Sequence, residues 1–228
     1  MWMFLAIIAA YLIGSIPFSF IIGKRVRGID LRRHGSGNLG ATNVFRNLGP
    51  WWGVLAMLLD MAKGAGSVLL MTFVVSVWPE GRTLPLHLPP DIWRIIAGFA
   101  AALGHTLSPF VSFHGGKGVA TTCGAYFVLA PYPTIVALVI FGAVAGLTRI
   151  ISLASICAAV VLALSVTYFE SVSDQFSKTI FFFTLAICAW VIYLHRANIK
   201  RLQAGTEKPL DQPGTGSAPA DHKESEQR

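Results

Sequence analysis

The chain has few charged residues and very few acids for its length. Only 13% of its 228 residues are charged and 11 are Asp or Glu, whereas 54% are hydrophobic. The mean hydropathy is +0.61, while soluble globular domains carry about 25% charged residues. This composition excludes an ordinary soluble domain and indicates a polytopic membrane protein.

The chain is also poor in residues for redox and metal chemistry. Its three cysteines, Cys123, Cys157 and Cys188, all lie in apolar stretches, where a thiol behaves as a small hydrophobic group. The histidines and acids do not cluster at the spacing of metal ligands. We therefore predict structural cysteines and no metal site.

Long apolar runs are the main feature that is present. They cover about 3–23, 52–78, 92–112, 151–169 and 178–195, and roughly 20 helical residues cross a bilayer. The stretch 119–148 is apolar too, but it contains Pro131 and Pro133, and proline ends a helix at or before the preceding residue. We predict two shorter helices here, joined by a tight turn, and an all-α protein of about seven transmembrane helices.

Basic residues predict how these helices are oriented. They concentrate in residues 24–50 and after residue 196, and cytoplasmic loops are enriched in Lys and Arg. We therefore expect the N-terminus outside, the C-terminus in the cytoplasm, and outer connections near 79–91, 131–133 and 170–177. These connections carry Glu80, Arg82, Asp91, Glu170 and Asp174.

The basic residues are spread along loops that flank the membrane, with no aromatic-rich surface, which argues against a nucleic-acid partner. Residues from 209 onward are rich in Pro, Gly, Ser and acids, a composition typical of disorder. We predict one transmembrane domain over 1–208 and a disordered polar cytoplasmic tail over 209–228.

A glycine-rich segment at 35–47 is a candidate phosphate site. Glycine allows the backbone to turn its N–H groups inward, short polar side chains add donors, and arginine adds charge. The candidate residues are Gly35, Ser36, Gly37, Asn38, Gly40, Thr42, Asn43 and Arg46. The alternative is a flexible link between two membrane helices.

A second glycine-rich segment lies at 113–118, directly before an apolar run. The free N–H groups of the following helix start, together with one lysine, would face an anion. The candidate residues are Gly115, Gly116, Lys117 and Gly118. The Gly-x-x-x-x-Gly-Lys-Ser/Thr spacing of a nucleotide-binding loop is absent, which disfavours nucleotide binding.

Polar side chains within the apolar runs are further candidates. Asp60 and Lys63 are three residues apart and can pair on one helical face; ionisable groups in a membrane usually mark function. The alternative is a pair that only locks helix packing. Ser152 and Ser155, which follow Arg149, also share a helical face, although such hydroxyls can bond to their own helix instead.

The last apolar run ends with His195 and Asn198, which we predict to lie on one helical face at the membrane boundary. Histidine exchanges protons near neutral pH, so a catalytic role is open, and an interfacial anchor is the alternative. We predict that His105 supports helix packing.

The predicted topology brings all these motifs to the cytoplasmic face, and together they resemble the bacterial acyl-phosphate:glycerol-3-phosphate acyltransferase family (the PlsY family). The matching pieces run in the family's order along most of the chain: Gly14-Ser15-Ile16-Pro17, Asp30-Leu31-Arg32, Gly35 to Asn38 through Asn43, Arg46, Asp60 with Lys63-Gly64, Gly104-His105, Gly115 to Gly118, Thr148-Arg149 with Ser152, and His195 through Glu207. Leu39 stands where proline is frequent in the family, and Pro109 comes one residue later than expected.

The resemblance implies transfer of a fatty acyl group from acyl phosphate to the 1-hydroxyl of glycerol 3-phosphate, giving lysophosphatidic acid and phosphate without a cofactor. It also implies a multi-pass protein of the bacterial inner membrane with a cytoplasm-facing site. We expect the catalytic residues to be Ser36, Asn38, Arg46, Lys117, His195 and Asn198. The first four would hold phosphates, and the last two would orient or activate the hydroxyl and support the oxyanion.

Several alternatives stay open at this level. A phosphate oxygen of the donor could take the hydroxyl proton in place of His195, and an acyl-enzyme on Ser36 is disfavoured because no histidine lies at a local activating spacing. A transporter of organophosphates is the main rival function, against which stands the absence of an evident inverted repeat. A soluble enzyme that makes acyl phosphate could dock on the basic segment 24–34.

Overall fold

The computed structural model describes residues 2–79, 83–172 and 178–212, and the regular structure of these residues is helical, as predicted. The α-helices are α1 (Trp2–Ser15), α2 (Phe18–Arg27), α3 (Ala41–Leu48), α4 (Pro50–Ser76), α5 (Pro90–Thr106), α6 (Val119–Leu129), α7 (Pro131–Thr148), α8 (Ile151–Val172), α9 (Lys178–Leu194) and α10 (Arg196–Gln203). Glu80, Arg82 and Asp174 of the predicted outer connections lie outside the described residues.

Within these ranges, five segments are long and apolar enough to cross a membrane: Trp2–Arg27, Pro50–Ser76, Pro90–Val111, Pro131–Thr148 and Ile151–Phe169. The pair α9 and α10, bent by 59°, makes a sixth if it is counted as one span. Helix α6 is apolar but has only 11 residues. The all-helical membrane class is confirmed, whereas the number of seven spans and the orientation of the termini stay predictions.

Prolines stand at several helix boundaries, and two of them bear on the predicted spans. Helix α6 ends at Leu129 and α7 begins at Pro131, so the two helices predicted over 119–148 are present. Proline suits the first position of a helix because its missing N–H would be unpaired there anyway. Pro17 also separates α1 from α2, an interruption that the uniform apolar run over 3–23 did not indicate.

Glycines bring the central helices into close contact. A Cβ atom on Gly14 would overlap the backbone of Ala101, so α1 lies directly against α5. A Cβ on Gly64 would overlap the carbonyl of Thr121, which places α4 directly against α6. Small residues permit such backbone approach between membrane helices. These contacts fix the positions of the two glycine-rich segments, which follow α2 and precede α6.

Residues beyond α10 return along the protein. The Leu210 N–H donates to the Arg149 carbonyl at 2.7 Å, and Arg149 Nη1 lies 3.1 Å from Asp211 Oδ2. Residues 213–228 lie outside the described residues, so the boundary of the predicted tail at 209 stays a prediction.

Candidate active site

A cleft of about 740 Å³ opens between the helices and receives both glycine-rich segments and the segment after α10. Its apolar half lies among α7, α8 and α9 and includes Leu138, Phe141, Leu162 and Ile187. The predicted site residues in its wall are Gly35, Ser36, Asn38, Thr42, Asn43, Arg46, Asp60, Lys117, Gly118, Ser152, Ser155, His195 and Asn198. A polar end and an apolar groove are therefore continuous.

Six predicted residues are not part of the cleft wall: Gly37, Gly40, Lys63, Gly115, Gly116 and Arg149. Arg149 ends α7 with a φ of 59°, and its exposed guanidinium faces Asp211. The Arg149 side chain therefore points to Asp211 and does not line the cleft. Lys63 is turned instead toward the carbonyl of Ile16, 3.0 Å from its Nζ.

The first glycine-rich segment is held by Asn43. Gly35 and Gly37 adopt left-handed φ angles of 62° and 71°, which glycine reaches without steric cost. Asn43 Oδ1 accepts the Ser36 N–H at 3.0 Å, and Asn43 Nδ2 donates to the carbonyls of Leu31 and His34. The side-chain amide of Asn43, which we predicted to bind substrate, is therefore used to hold the loop in place. Ser36 and Asn38 of this loop line the cleft.

Arg46 brings a positive charge to the cleft wall, and a buried N–H group that is unpaired in the described part of the chain. Its Nη2 donates to the carbonyls of Lys208 at 2.7 Å and Pro209 at 3.2 Å. Its buried Nε has no hydrogen-bond partner among the described residues. Burial lowers the pKa of Arg46 from its ordinary value, but a guanidinium stays protonated in proteins. Because Arg46 also lines the cleft, its positive charge is suited to an anion there.

Lys117 of the second glycine-rich segment also lines the cleft. Gly118 has a φ of 74° and turns the chain into α6. The ammonium group of Lys117 donates to Asn198 Oδ1. Burial lowers the pKa of Lys117 to about 8, against the attraction of Glu207. The lysine is therefore charged at neutral pH and loses that charge just above it.

Glu207 is the residue that sequence reasoning missed as a site residue, although it closed the last matching motif. Its Oε1 accepts hydrogen bonds from Ser152 Oγ and Asn198 Nδ2, both at 2.6 Å, and its Oε2 accepts from Arg201 Nε at 2.6 Å. Burial opposes ionisation, but these bonds keep the pKa of Glu207 below its ordinary value.

The glutamate orients the cleft's polar end. Because its carboxylate takes the amide hydrogen of Asn198, the amide oxygen is free to face Lys117. The cleft wall then carries four cations, Arg46, Lys117, Arg201 and Lys208, against the two carboxylates of Asp60 and Glu207. The excess positive charge suits a phosphate group.

His195 stands at a bend, not on a continuous helix. Helix α9 ends at Leu194 and α10 begins at Arg196, with 59° between them, so the prediction that His195 and Asn198 share one helical face is wrong. Both nevertheless line the cleft. His195 Nδ1 lies 2.8 Å from the Val191 carbonyl and donates to it, which leaves Nε2 as an acceptor.

The two serines of α8 behave differently. Ser152 donates to Glu207, whereas Ser155 Oγ donates to its own helix at the Ile151 carbonyl, 2.9 Å away. Ser155 therefore bonds to the backbone of its own helix, which was the alternative to a substrate contact. Among the described residues, no group of three or more His, Cys, Asp or Glu side chains is arranged to hold a metal ion.

The fold and the cleft together define an integral membrane protein with a cationic site that continues into an apolar groove. Comparison with known proteins identifies the family. The family model described as glycerol-3-phosphate acyltransferase matches residues 4–205. The chain therefore belongs to the glycerol-3-phosphate acyltransferase family, in agreement with the resemblance in its motifs.

Relatives match over nearly their whole length. Glycerol-3-phosphate acyltransferase of Endomicrobium trichonymphae is 40% identical over 206 residues, covering 90% of this chain and 94% of the relative. Glycerol-3-phosphate acyltransferase 2 of Bacillus anthracis is also 40% identical, covering 90% and 98%. The crystal structure of PlsY (YgiH), an integral membrane glycerol 3-phosphate acyltransferase, in its glycerol 3-phosphate form is 35% identical with a TM-score of 0.76, covering 91% of this chain and 94% of that one. Its lysophosphatidic acid form has a TM-score of 0.74 at 34% identity, with the same coverage.

Proposed function

We propose that the protein transfers a fatty acyl group from acyl phosphate to the 1-hydroxyl of glycerol 3-phosphate, giving lysophosphatidic acid and phosphate. The observation that carries this proposal is the continuity of a cationic end with an apolar groove in one cleft. The acceptor and the product both match the forms in which the similar PlsY structure was solved. Phosphates would occupy the cationic end and the acyl chain would extend among α7, α8 and α9.

The polar residues divide into two sets by what they offer. Ser36 and Asn38 bring neutral donors to the cleft wall, and Arg46 and Lys117 bring positive charge to it. These four side chains hold the two phosphate groups in the proposed complex. Two anions are thereby brought to one place, and alignment of this kind accounts for much of the rate enhancement when the donor is already activated.

His195 and Asn198 serve the reacting hydroxyl in this proposal. The hydroxyl donates to His195 Nε2, the ring atom left free by the bond to Val191. The hydroxyl oxygen attacks the acyl carbon, an ester bond forms, and the bond from that carbon to the phosphate oxygen breaks. As the attack begins, the hydroxyl proton leaves its hydrogen bond with His195 Nε2 and passes to an oxygen of the leaving phosphate, while the Asn198 amide and Lys117 stabilise negative charge.

The activity of a His195→Ala variant distinguishes two possible proton acceptors, the donor phosphate and His195. With the donor phosphate as base, His195→Ala keeps appreciable activity, because only orientation is lost. A protein base contributes roughly 10²- to 10⁴-fold. A loss well beyond that range, with unchanged substrate binding, would refute proton transfer to the phosphate.

Direct transfer is favoured over an acyl-enzyme. In the described part of the chain, no hydrogen bond joins the Ser36 hydroxyl to a histidine, so the partner that activates a serine nucleophile is not supplied. Trapping an acyl group on Ser36 after incubation with donor alone, followed by mass spectrometry, would contradict this version.

The first experiment compares donors. Purified protein in detergent is given labelled glycerol 3-phosphate with palmitoyl phosphate or palmitoyl-CoA, and lysophosphatidic acid is measured. We expect product from the acyl phosphate alone, its loss in Arg46→Ala, and full activity in Arg196→Ala, whose exposed guanidinium stacks on Tyr193 outside the cleft. Product from palmitoyl-CoA alone would refute the donor, and no product from either donor would favour transport of organophosphates.

We further propose that the protein lies in the bacterial inner membrane with this cleft facing the cytoplasm, where a soluble enzyme that makes acyl phosphate could dock on residues 24–34. Lys24, Arg25 and Arg33 are exposed there, whereas Arg32 pairs with Asp30 at 2.7 Å. Unchanged co-purification of the two enzymes after charge removal at Arg25, Arg27 and Arg32 would count against this docking surface.

A further inference from the structure

Three ionisable side chains form a buried cluster next to the cleft. Asp60 on α4 is 2% exposed, and its Oδ1 lies 2.9 Å from Lys63 Nζ and 3.5 Å from His105 Nδ1 on α5. Lys63 also donates to the Ile16 carbonyl, at the break between α1 and α2. The lysine is therefore held by a carboxylate and a carbonyl, and the aspartate and the histidine connect the cluster to the cleft wall.

The second glycine-rich segment rests on this histidine. The carbonyls of His105 and Thr106 accept the N–H groups of Gly116 at 3.1 Å and Gly115 at 3.0 Å. A Cβ on Gly116 would overlap His105 Nε2, so the imidazole edge lies directly against the Gly116 backbone. Lys117 is the next residue along the chain. The carbonyls of His105 and Thr106 thus hold the backbone that leads into Lys117, and the imidazole borders that backbone.

The cluster also reaches the first glycine-rich segment. The same Cβ on Gly116 would lie 2.9 Å from the Leu39 carbonyl, which follows Asn38. A small cavity between the two segments is lined by Asp60, Lys63, His105 and Gly116, while Asp60 and His105 are also part of the cleft wall. One histidine therefore supports the point at which the two proposed phosphate-binding segments meet.

We propose that Asp60 and His105 are positioning residues for the acyl transfer: the carboxylate holds the imidazole against Gly116, and the imidazole in turn holds Lys117 at its place in the cleft. The role rests on the proposed phosphate contact of Lys117. A pair that merely stabilised helix packing would not need the histidine edge on the glycine loop. Membrane-buried charges are costly, and here the cost is tied to the geometry of the site.

The test uses two variants that disturb the cluster in different ways. His105→Ala removes the support but keeps the Asp60–Lys63 ion pair, and Asp60→Asn with Lys63→Met removes both charges without leaving one unpaired. Ser67→Ala is the matched control, because Ser67 is equally buried on α4 and bonds to the carbonyls of Lys63 and Ala10, away from the loop. Steady-state kinetics and thermal unfolding are measured in detergent.

A second readout follows Lys117 directly. Lysines are labelled with acetic anhydride, and labelling rates are read by mass spectrometry, with exposed Lys24 and Lys200 as internal references. We expect both cluster variants to change the Lys117 rate severalfold at unchanged reference rates. We also expect kcat/KM to fall on the order of 10- to 100-fold, the size of a misplacement near 1 Å, with a raised KM for glycerol 3-phosphate or acyl phosphate.

The outcomes distinguish the positioning role of Asp60 and His105 from the proposed phosphate contact of Lys117. Unchanged KM values and Lys117 labelling in both variants, with only a lower unfolding temperature, would show a packing role and overturn the proposal. If labelling changes in the cluster variants but Lys117→Ala itself leaves KM unchanged, the positioning stands and the phosphate contact of Lys117 fails. Ser67→Ala keeps wild-type kinetics and labelling in every case that supports the proposal.

Discussion

Replacing Glu207 by glutamine tests how the polar end of the cleft is organised. The carboxylate accepts from Ser152, Asn198 and Arg201, all at 2.6 Å. Glutamine keeps the size of the side chain but has one acceptor oxygen and an NH₂ group that only donates. If its oxygen stays with Ser152 and Asn198, its NH₂ group meets the Arg201 donor. The opposite orientation releases Asn198, whose amide then no longer directs its oxygen at Lys117.

The expected size follows from these bonds. A hydrogen bond to a charged group contributes about 1.5–3 kcal/mol. If the loss of one such bond weakens binding of the transition state by the same free energy, kcat/KM falls about 10- to 150-fold, since each 1.36 kcal/mol changes the rate constant tenfold. Glu207 also raises the pKa of Lys117, which burial lowers to about 8. Without the carboxylate that pKa falls further, so the alkaline decline of kcat/KM moves to lower pH.

The assay is acyl transfer across pH 6 to about 9.5, with kcat/KM reporting the ionisation of free enzyme. Asp211→Asn is the control, because Asp211 lies on the same segment as Glu207 and its carboxylate pairs with Arg149 on the surface. The side chains of Asp211 and Arg149 are 56% and 66% exposed. Such exposed pairs contribute about 0–1 kcal/mol. Glu207→Gln kinetics within twofold of Asp211→Asn, or an alkaline limb that does not move, would refute the reasoning.

Three further predictions use the same preparations. Lys117→Arg keeps its charge above pH 8, so activity that wild type loses as Lys117 deprotonates persists, whereas a parallel decline would exclude Lys117 as the group that titrates. Gly64→Ala lowers the unfolding temperature, at a cost of about 1–3 kcal/mol in stability, because the added Cβ overlaps the Thr121 carbonyl. Gly66→Ala is the control, because a Cβ at Gly66 meets open space. Equal unfolding temperatures for the two variants would contradict the close contact between α4 and α6. Arg149→Ala leaves the KM values within twofold, because Arg149 lies outside the cleft wall, and a large rise in KM would place it in the site.

Much of the fold could be predicted from hydropathy and proline alone. Apolar runs near 20 residues leave a helix as the solution that satisfies its own backbone in lipid, and the described helices follow those runs. Pro131 correctly placed the division between α6 and α7. Pro17 divided α1 from α2 within one span, which composition did not indicate because both sides of the break are apolar.

The site was predictable to the extent that its chemistry is local. Glycines beside Ser36, Asn38 and Lys117 carry a pattern that indicates an anion site, and the cleft contains these side chains. Glu207 could not be placed in this way, because it lies beyond the end of α10 and is joined there to Asn198, Arg201 and the distant Ser152 by a fold that no periodicity indicates. The bend at His195 was missed for a similar reason, since no proline or glycine marks it.

The sequence by itself determined the membrane class, most helix ranges and the residue types that gather phosphate, because hydropathy and backbone freedom act over a few neighbouring residues. Only the tertiary structure decided which polar groups face the cleft and which do not. It turned Lys63 toward Ile16 and Arg149 toward Asp211, and it brought Glu207 to Asn198. The physical reason is that burial and pairing depend on helices distant in the chain, whose contacts no local pattern specifies.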